Sequence, residues 1–202
     1  MAGLDAKSAR TAARILRAAR SLFLARSVAE VTTEDIARAA GVTKGGLYHH
    51  FRSKEQLYVT MLLDDLANKR ALFSRSVLMA GTCRERLARL TGDFLALPEE
   101  ERHFLRLVRR DINFFRGDDR EAIVRAYQHA LPEQVEDIIR DGVATGELAP
   151  ADGRLVSWSF VALVEIMIGD YAVRHVGDAA ARLDQVLRLF FDGAAAAPAG
   201  VR

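Results

Sequence analysis

Apolar residues recur every three or four positions along nearly the whole chain, and no window of four or more shows the strict alternation between turn residues that marks a strand hairpin. That pattern points to an all-α fold. The first proline is Pro98, so helix ends before it must be set by glycines and capping side chains. Half of the 202 residues are hydrophobic, enough for one or two packed domains and too many for a disordered or collagen-like chain. The single cysteine, Cys83, excludes an intrachain disulfide and a thiolate metal cluster. The first thirty residues lack the pattern of a secretory leader, and the apolar run at 161–164 is cut by Glu165 and is too short to span a bilayer. The expected setting is the cytoplasm, with no membrane involvement.

The spacing predicts about nine helices. The first covers 8–26, with Ile15, Leu16, Ala19, Leu22 and Phe23 on one face. The second opens at Thr32 or Thr33 and closes at Gly41, and the third is short, from Thr43 or Lys44 to about His50. Ser53 with Gln56 three residues on reads as a capping box launching a fourth helix that continues to about Ala80. Thr82 with Glu85 is a second box, and its helix ends before Pro98. Pro98 followed by three glutamates starts a sixth helix, to about Arg116, because proline fits the first turn and carboxylates complement the dipole there. A seventh runs from 117 toward Asp141 and is either kinked or split by Pro132. After a loop at 142–152, an eighth helix reaches about Arg174 and a ninth covers 178–192. The expected organisation is a domain over 1–56, a larger one over 57–193, and a disordered small-residue tail at 194–202.

Charge is unevenly spread. The first 60 residues hold ten Lys or Arg against five Asp or Glu, a balance of +5, whereas the rest carries −3. A basic head on a mildly acidic body is the polarity expected when one end meets a polyanion. Within that head, 32–51 reads as helix, glycine-centred turn, short helix, with Ile36, Ala37, Ala40, Val42 and Leu47 on the buried side. That is a helix-turn-helix. Its second helix holds adjacent glycines, Gly45 and Gly46, each of which gives up about 1 kcal/mol relative to alanine in a helix interior. Close approach of the backbone to a DNA groove explains the missing side chains. Thr43, Lys44, Tyr48, His49 and His50 surround the pair with hydrogen-bonding groups, and Thr33 and Lys54 stand at helix N-termini where phosphates are favoured.

These residues carry a family resemblance. The stretch 15–57, with AARSLF, TTEDIARAAGVTKGGLYHHF and SKEQL, resembles the DNA-binding domain of the TetR family of bacterial transcriptional regulators. The resemblance implies three N-terminal helices for DNA, a long fourth helix into a larger C-terminal helical domain, dimerisation through the last two helices, and a small-molecule inducer in the C-terminal core. It also implies groove-facing roles for Thr43, Lys44 and Gly45, phosphate or base contacts for Tyr48 and His49, and phosphate contacts for Thr33 and Lys54. Ser27 stands where the family often has glycine, a departure confined to the end of the first helix.

The eighth helix is apolar all round and must be covered on every side; with the stripe on the ninth, it predicts a four-helix interface between two copies. The residues nominated for it are Val161, Val164, Ile168, Leu183, Val186, Leu187 and Phe190. A twofold dimer implies a near-palindromic operator of double-stranded DNA. Phe94, Phe104, Phe114, Phe115, Tyr127, Trp158 and Met167 are candidates to line an effector pocket, with His103, Arg109 and Glu165 as polar anchors. Glu165 pairs across the dimer, faces solvent or reads a ligand donor, and the sequence does not choose. No nucleophile–base set, phosphate loop or metal-ligand spacing occurs, so no enzyme activity, metal or cofactor is expected. The reading is a repressor released from its operator by a mainly hydrophobic effector; the alternative is a dimeric DNA-binding or architectural protein with no small-molecule effector.

Overall fold

The computed structural model describes residues 2–192, and among these the elements are eleven α-helices and one 3-10 turn, with no strand. In chain order they are α1 (Ala2–Ala25), α2 (Thr33–Ala40), α3 (Lys44–His50), α4 (Lys54–Leu78), α5 (Cys83–Leu95), α6 (Glu99–Asp111), the 3-10 turn Ile112–Phe114, α7 (Gly117–Ala130), α8 (Pro132–Ala144), α9 (Gly153–Met167), α10 (Asp170–His175) and α11 (Ala179–Phe191). The fold class is all-α, as the periodicity predicts.

The helix count exceeds nine for two local reasons. Pro132 splits the expected seventh helix: Leu131 leaves helical geometry at φ −134° and ψ −62°, and Pro132 begins α8 at the position where a missing N–H is harmless. The expected eighth helix ends at Met167, because Gly169 takes extended backbone at φ −72° and ψ 154° before α10 starts. Two helix limits also differ. The first helix begins at Ala2, ahead of residue 8, and α6 stops at Asp111, short of Arg116. The tail at 194–202 lies outside the described residues.

The chain forms two compact units. The first holds residues up to 67 together with 103–126, and the second holds 68–102 and 127 onward. In the first, Ile15, Ala19 and Phe23 of α1, Ile36 of α2, Leu47 of α3 and Leu57 and Leu62 of α4 are all at most 1% exposed. In the second, α8 packs on α9, and α5 on α8 and α11, around Leu87, Ile138, Ile139, Phe160 and Val186. Arg86 is buried there but answered, its Nη1 donating to Asp141 Oδ2 (2.7 Å) and its Nη2 to the Val77 carbonyl (2.6 Å). Gly142 lets α8 approach α5, since a Cβ on it would lie 2.8 Å from the Cys83 Cβ. Burial pushes the Cys83 thiol up to about 11, with the nearby Glu147 carboxylate adding to the effect.

Five of the nominated dimer residues are covered by their own chain. Val161, Val164, Ile168, Val186 and Leu187 are each at most 9% exposed in the single subunit, because α9 and α11 pack on one another. The large apolar side chains left uncovered on α9 and α10 are Leu155, Ile166, Tyr171 and Val173, at 47% exposure or more.

One polar cluster in the first unit joins segments far apart in sequence. Tyr58 of α4 is fully buried and donates to Asp111 Oδ2 at the end of α6 (2.6 Å). Arg110 grips the same carboxylate through Nε and Nη2 (2.9 and 2.8 Å), and its Nη2 also donates to the carbonyls of Phe23 (2.8 Å) and Arg26 (3.1 Å) at the end of α1. The Tyr58 ring sits edge-on to Phe23 at 4.7 Å and stacks on Phe115 at 5.3 Å. Here lies the reason α6 stops early: the chain tightens into the 3-10 turn and then extends at Phe115 (φ −86°, ψ 154°), which lays that ring on Tyr58. Burial, and then the bond to Asp111, raise the Tyr58 hydroxyl far above its ordinary range, so it stays a donor. Asp111→Ala strips both partners of their acceptor and should lower stability by about 3 kcal/mol in urea melts, whereas Tyr58→Phe, which leaves the arginine pair intact, should lower it by about 1 kcal/mol.

Candidate nucleic-acid interface

Local chemistry fixes both ends of the α2–turn–α3 segment. Thr32 caps α2: its Oγ1 accepts the Asp35 N–H (3.1 Å), while Asp35 Oδ2 accepts the Thr32 N–H (3.3 Å). Those bonds hold the Asp35 carboxyl below the usual carboxylate range. Gly41 then turns the chain at φ +62°, a left-handed conformation that favours glycine, and its N–H and that of Val42 return to the Arg38 and Ala37 carbonyls. From α1, Arg14 Nη2 donates to the carbonyls of Ala40 (3.0 Å) and Gly41 (3.2 Å), so the last turn of α2 is satisfied from outside. Thr43 caps α3 by accepting the Gly46 N–H at 3.0 Å. With Ile36 and Leu47 buried between them, the two helices form the helix-turn-helix that the spacing predicts.

The nominated DNA-facing residues share one surface of the first unit. Lys44, Gly45, Tyr48 and His49 are exposed on α3, with Gly46 half-buried. The Lys44 ammonium is hydrogen-bonded to Glu34 on α2, which raises its pKa and holds Glu34 below the usual range. The Thr33 hydroxyl donates to Glu34 Oε2 (3.1 Å) and stands 3.5 Å from the Tyr48 hydroxyl. Lys54 opens α4 just after Ser53, whose Oγ accepts the Gln56 N–H (3.1 Å); the Gln56 side chain takes the N–H of Arg52 (2.7 Å), one residue earlier than a standard box would.

A cleft of about 360 Å³ lies among Thr33, Glu34, Tyr48, Arg52, Ser53 and Lys54. The N-terminal turns of α2 and α4 both border it, and such turns present free N–H groups and positive dipole ends. A phosphate oxygen is the chemistry that suits those donors. Arg52 joins this group, and sequence reasoning missed it; its one signal was a cation directly ahead of the helix start.

The two glycines separate on inspection. Neither has positive φ, so the helix backbone does not require glycine at either position. A Cβ on Gly46 would stand 3.3 Å from Thr43 Oγ1, the atom that caps the helix, which is reason enough for glycine there. At Gly45 the nearest atom would be 4.0 Å away, in ordinary contact range, and the position faces solvent. Nothing inside the chain explains Gly45. Gly45→Ala should raise the thermal stability of the free protein by about 1 kcal/mol, and Gly46→Ala should gain less or lose.

The nominated effector residues do not form one cluster. His103, Phe114 and Phe115 belong to the first unit, where Phe115 is engaged with Tyr58 and Phe114 is 45% exposed beside it. Phe104 lies outside the residues whose side chains are described. Arg109 is exposed in the first unit. In the second unit Phe94 is buried edge-on to Phe73 (6.0 Å) and Met167 is buried. The Tyr127 ring lies 6.2 Å from Trp158, and its hydroxyl donates to Glu165 Oε1 at 3.0 Å, so this carboxylate has a partner within its own subunit. Leu183 and Phe190 of α11 are half-buried. Among the described residues no group of three or more His, Cys, Asp or Glu is placed to hold a metal, and no helix is long and apolar enough to cross a membrane.

Two family models match the chain: bacterial regulatory proteins of the tetR family over residues 15–61, and the tetracyclin repressor-like C-terminal domain over residues 80–169. The chain is 34% identical over 139 residues to the HTH-type transcriptional repressor KstR2 of Mycolicibacterium smegmatis, a match covering 67% of this chain and 66% of that protein. It therefore spans just under two thirds of that relative's length. Among solved structures, the TetR family transcriptional regulator PfmR of Thermus thermophilus superposes with a TM-score of 0.77 at 24% identity, covering 91% of this chain and all of that one. The transcriptional regulator FadR of Bacillus subtilis in complex with stearoyl-CoA does so with a TM-score of 0.75 at 18% identity, covering 89% and 97%. At these identities the two structures speak to the fold.

Proposed function

The chain belongs to the TetR family of bacterial regulatory proteins, and from that membership we propose that it is a DNA-binding transcriptional repressor, acting in the cytoplasm as a homodimer on a near-palindromic operator and released by a mainly hydrophobic small molecule. The observation that carries the DNA reading is Gly45: an exposed helical position with room for a side chain, no backbone need for glycine, and a rim of hydrogen-bonding groups. In the docked state α3 enters the major groove with Lys44 and Gly45 foremost, while the cleft bordered by Thr33, Tyr48, Arg52 and Lys54 takes a backbone phosphate. Lys44 must then leave Glu34 for DNA. Two copies meet across the uncovered Leu155 and Ile166 of α9, together with α11, which spaces the two α3 helices along the duplex.

The effector reading rests on family membership and on the aromatic content of the second unit, where Phe73 pairs with Phe94 and Tyr127 with Trp158. A regulator of the same fold carries stearoyl-CoA, which fits an effector with a long apolar part. Release follows by linkage: an effector that favours the arrangement of α4 with low operator affinity lowers that affinity by the same factor. Because α4 contributes residues to both units, it is the element whose displacement carries the signal.

The operator is obtained by selecting duplexes from a random pool with the purified protein. Five phosphate contacts per dimer predict an affinity loss of about 500-fold between 50 and 200 mM salt, and a flat dependence refutes the docking. Lys54→Ala should weaken selected and unrelated duplexes equally and reduce the salt slope by about one, while Lys44→Ala should weaken the selected duplex about tenfold more than the others. Glu34→Gln, which frees Lys44 and removes a negative charge from the face, should tighten binding. Gly45→Ala should weaken it despite the gain in stability.

A further inference from the structure

The first helix carries more charge than its packing uses. Between Asp5 and Glu30 the sequence holds six cations, Lys7, Arg10, Arg14, Arg17, Arg20 and Arg26, and no acid. Three are engaged by the fold: Arg26 pairs with Asp35 (3.5 Å), Arg20 with Asp65 (3.2 Å), and Arg14 donates to the carbonyls of Ala40 (3.0 Å) and Gly41 (3.2 Å). Lys7, Arg10 and Arg17 are exposed and meet no carboxylate among the described residues. At about 100° per residue, positions 7, 10, 14 and 17 fall within an arc of about 80°, so four cations form one stripe along α1. Each successive pair stands three or four residues apart, the spacing at which like charges destabilise a helix.

Two observations place this stripe within the first unit. α2 runs antiparallel to α1, since Asp35 near its start pairs with Arg26 while Ala40 and Gly41 at its end are held by Arg14. Arg14 and Arg17 also border a groove with Ala39 and Ala40, so the stripe lies on the side of α1 where α2 ends and the chain turns into α3. α1 continues past that turn: Arg10 and Lys7 stand about 6 and 10 Å further along its axis than Arg14. From residue 6 to Arg14 no side chain is buried, the first being Ile15, so no core explains the length of these turns. Mutual repulsion is thus left unanswered beside the helix-turn-helix, and a polyanion supplies the answer. A DNA duplex presents one negative charge per about 1.7 Å of its axis, dense enough to meet every cation of the stripe.

We propose that the N-terminal turns of α1 are a further DNA contact, in which Lys7 and Arg10 take backbone phosphates flanking the base pairs that α3 reads. Arg14 remains committed to the end of α2. The contact positions the protein without reading sequence, because it is made to phosphates alone. This inference rests on the reading of the chain as a DNA-binding regulator. The helix-turn-helix and α4 supply five phosphate contacts per dimer, and the stripe adds four.

The variant Lys7→Ala/Arg10→Ala tests it against the wild type on a selected duplex between 50 and 200 mM salt. Removing four contacts should reduce the salt slope by about 3.6, so that the wild type loses about 150-fold more affinity than the variant across that range. Selected and unrelated duplexes should be weakened alike, and the melting temperature should hold or rise, since the charges removed are exposed and repel one another. Trimming the selected duplex to the base pairs read by α3 should erase the difference between variant and wild type. Arg75→Ala, which removes an exposed cation from the second unit, should leave the slope unchanged. An unchanged slope in the double variant overturns the inference while leaving the DNA-binding reading intact, and so does an equal fall per charge in Arg75→Ala, which would assign the effect to net charge. Failure of the wild type to bind any duplex overturns both.

Discussion

The carboxylate of Asp111 holds together what the order of the chain keeps apart. It ends α6, accepts from Tyr58 of α4, and is gripped by Arg110, whose remaining hydrogen bonds close the end of α1. Of those three helices α1 packs on α2, so the unit that holds the helix-turn-helix is tied together by residues nearly ninety positions apart. A buried ion pair contributes little net stability on its own, but here the Asp111 carboxylate accepts from both Tyr58 and Arg110, and removing it leaves the buried Tyr58 hydroxyl without its acceptor. Residues 103–126 thereby belong to the same compact unit as the helix-turn-helix.

What the sequence disclosed was local chemistry. Thr32, Thr43 and Thr82 cap the helices that follow them, Gly41 turns where a positive φ is needed, and Pro132 starts a helix as proline prefers. Such signals act within four residues and are visible in a string of letters. The end of α6 was not visible, because it depends on Tyr58 more than fifty positions away. Periodicity likewise says that a face is covered without saying by what: Val161, Val164 and Val186 are buried where α9 and α11 pack together, while Leu155 and Ile166 of α9 stay exposed in the single subunit. The same ambiguity dispersed the nominated aromatic residues between two units. A single cation such as Arg52 carries no periodic signature, and its place beside the cleft of Thr33, Tyr48 and Lys54 emerges only in the folded chain.

The face around α3 is held ready at some expense to the free protein. Lys44 rests against Glu34 across the exposed face, and Gly45 forgoes helix propensity with nothing inside the chain to require it. Local rules are broken at this surface while they hold in the core beside it. That contrast between a consistent scaffold and an inconsistent patch is the usual mark of a surface shaped by a partner.

Cys83 illustrates what close helix packing withholds. Its sulfur is wedged beneath the bare backbone of Gly142, its own amide is engaged by Glu147 (2.7 Å), and its proton is held more tightly than in a free thiol. An alkylating reagent therefore meets no thiolate until α5 and α8 part. The rate at which a maleimide or iodoacetamide labels this protein is a clock for the opening of its second unit, with a single site to count.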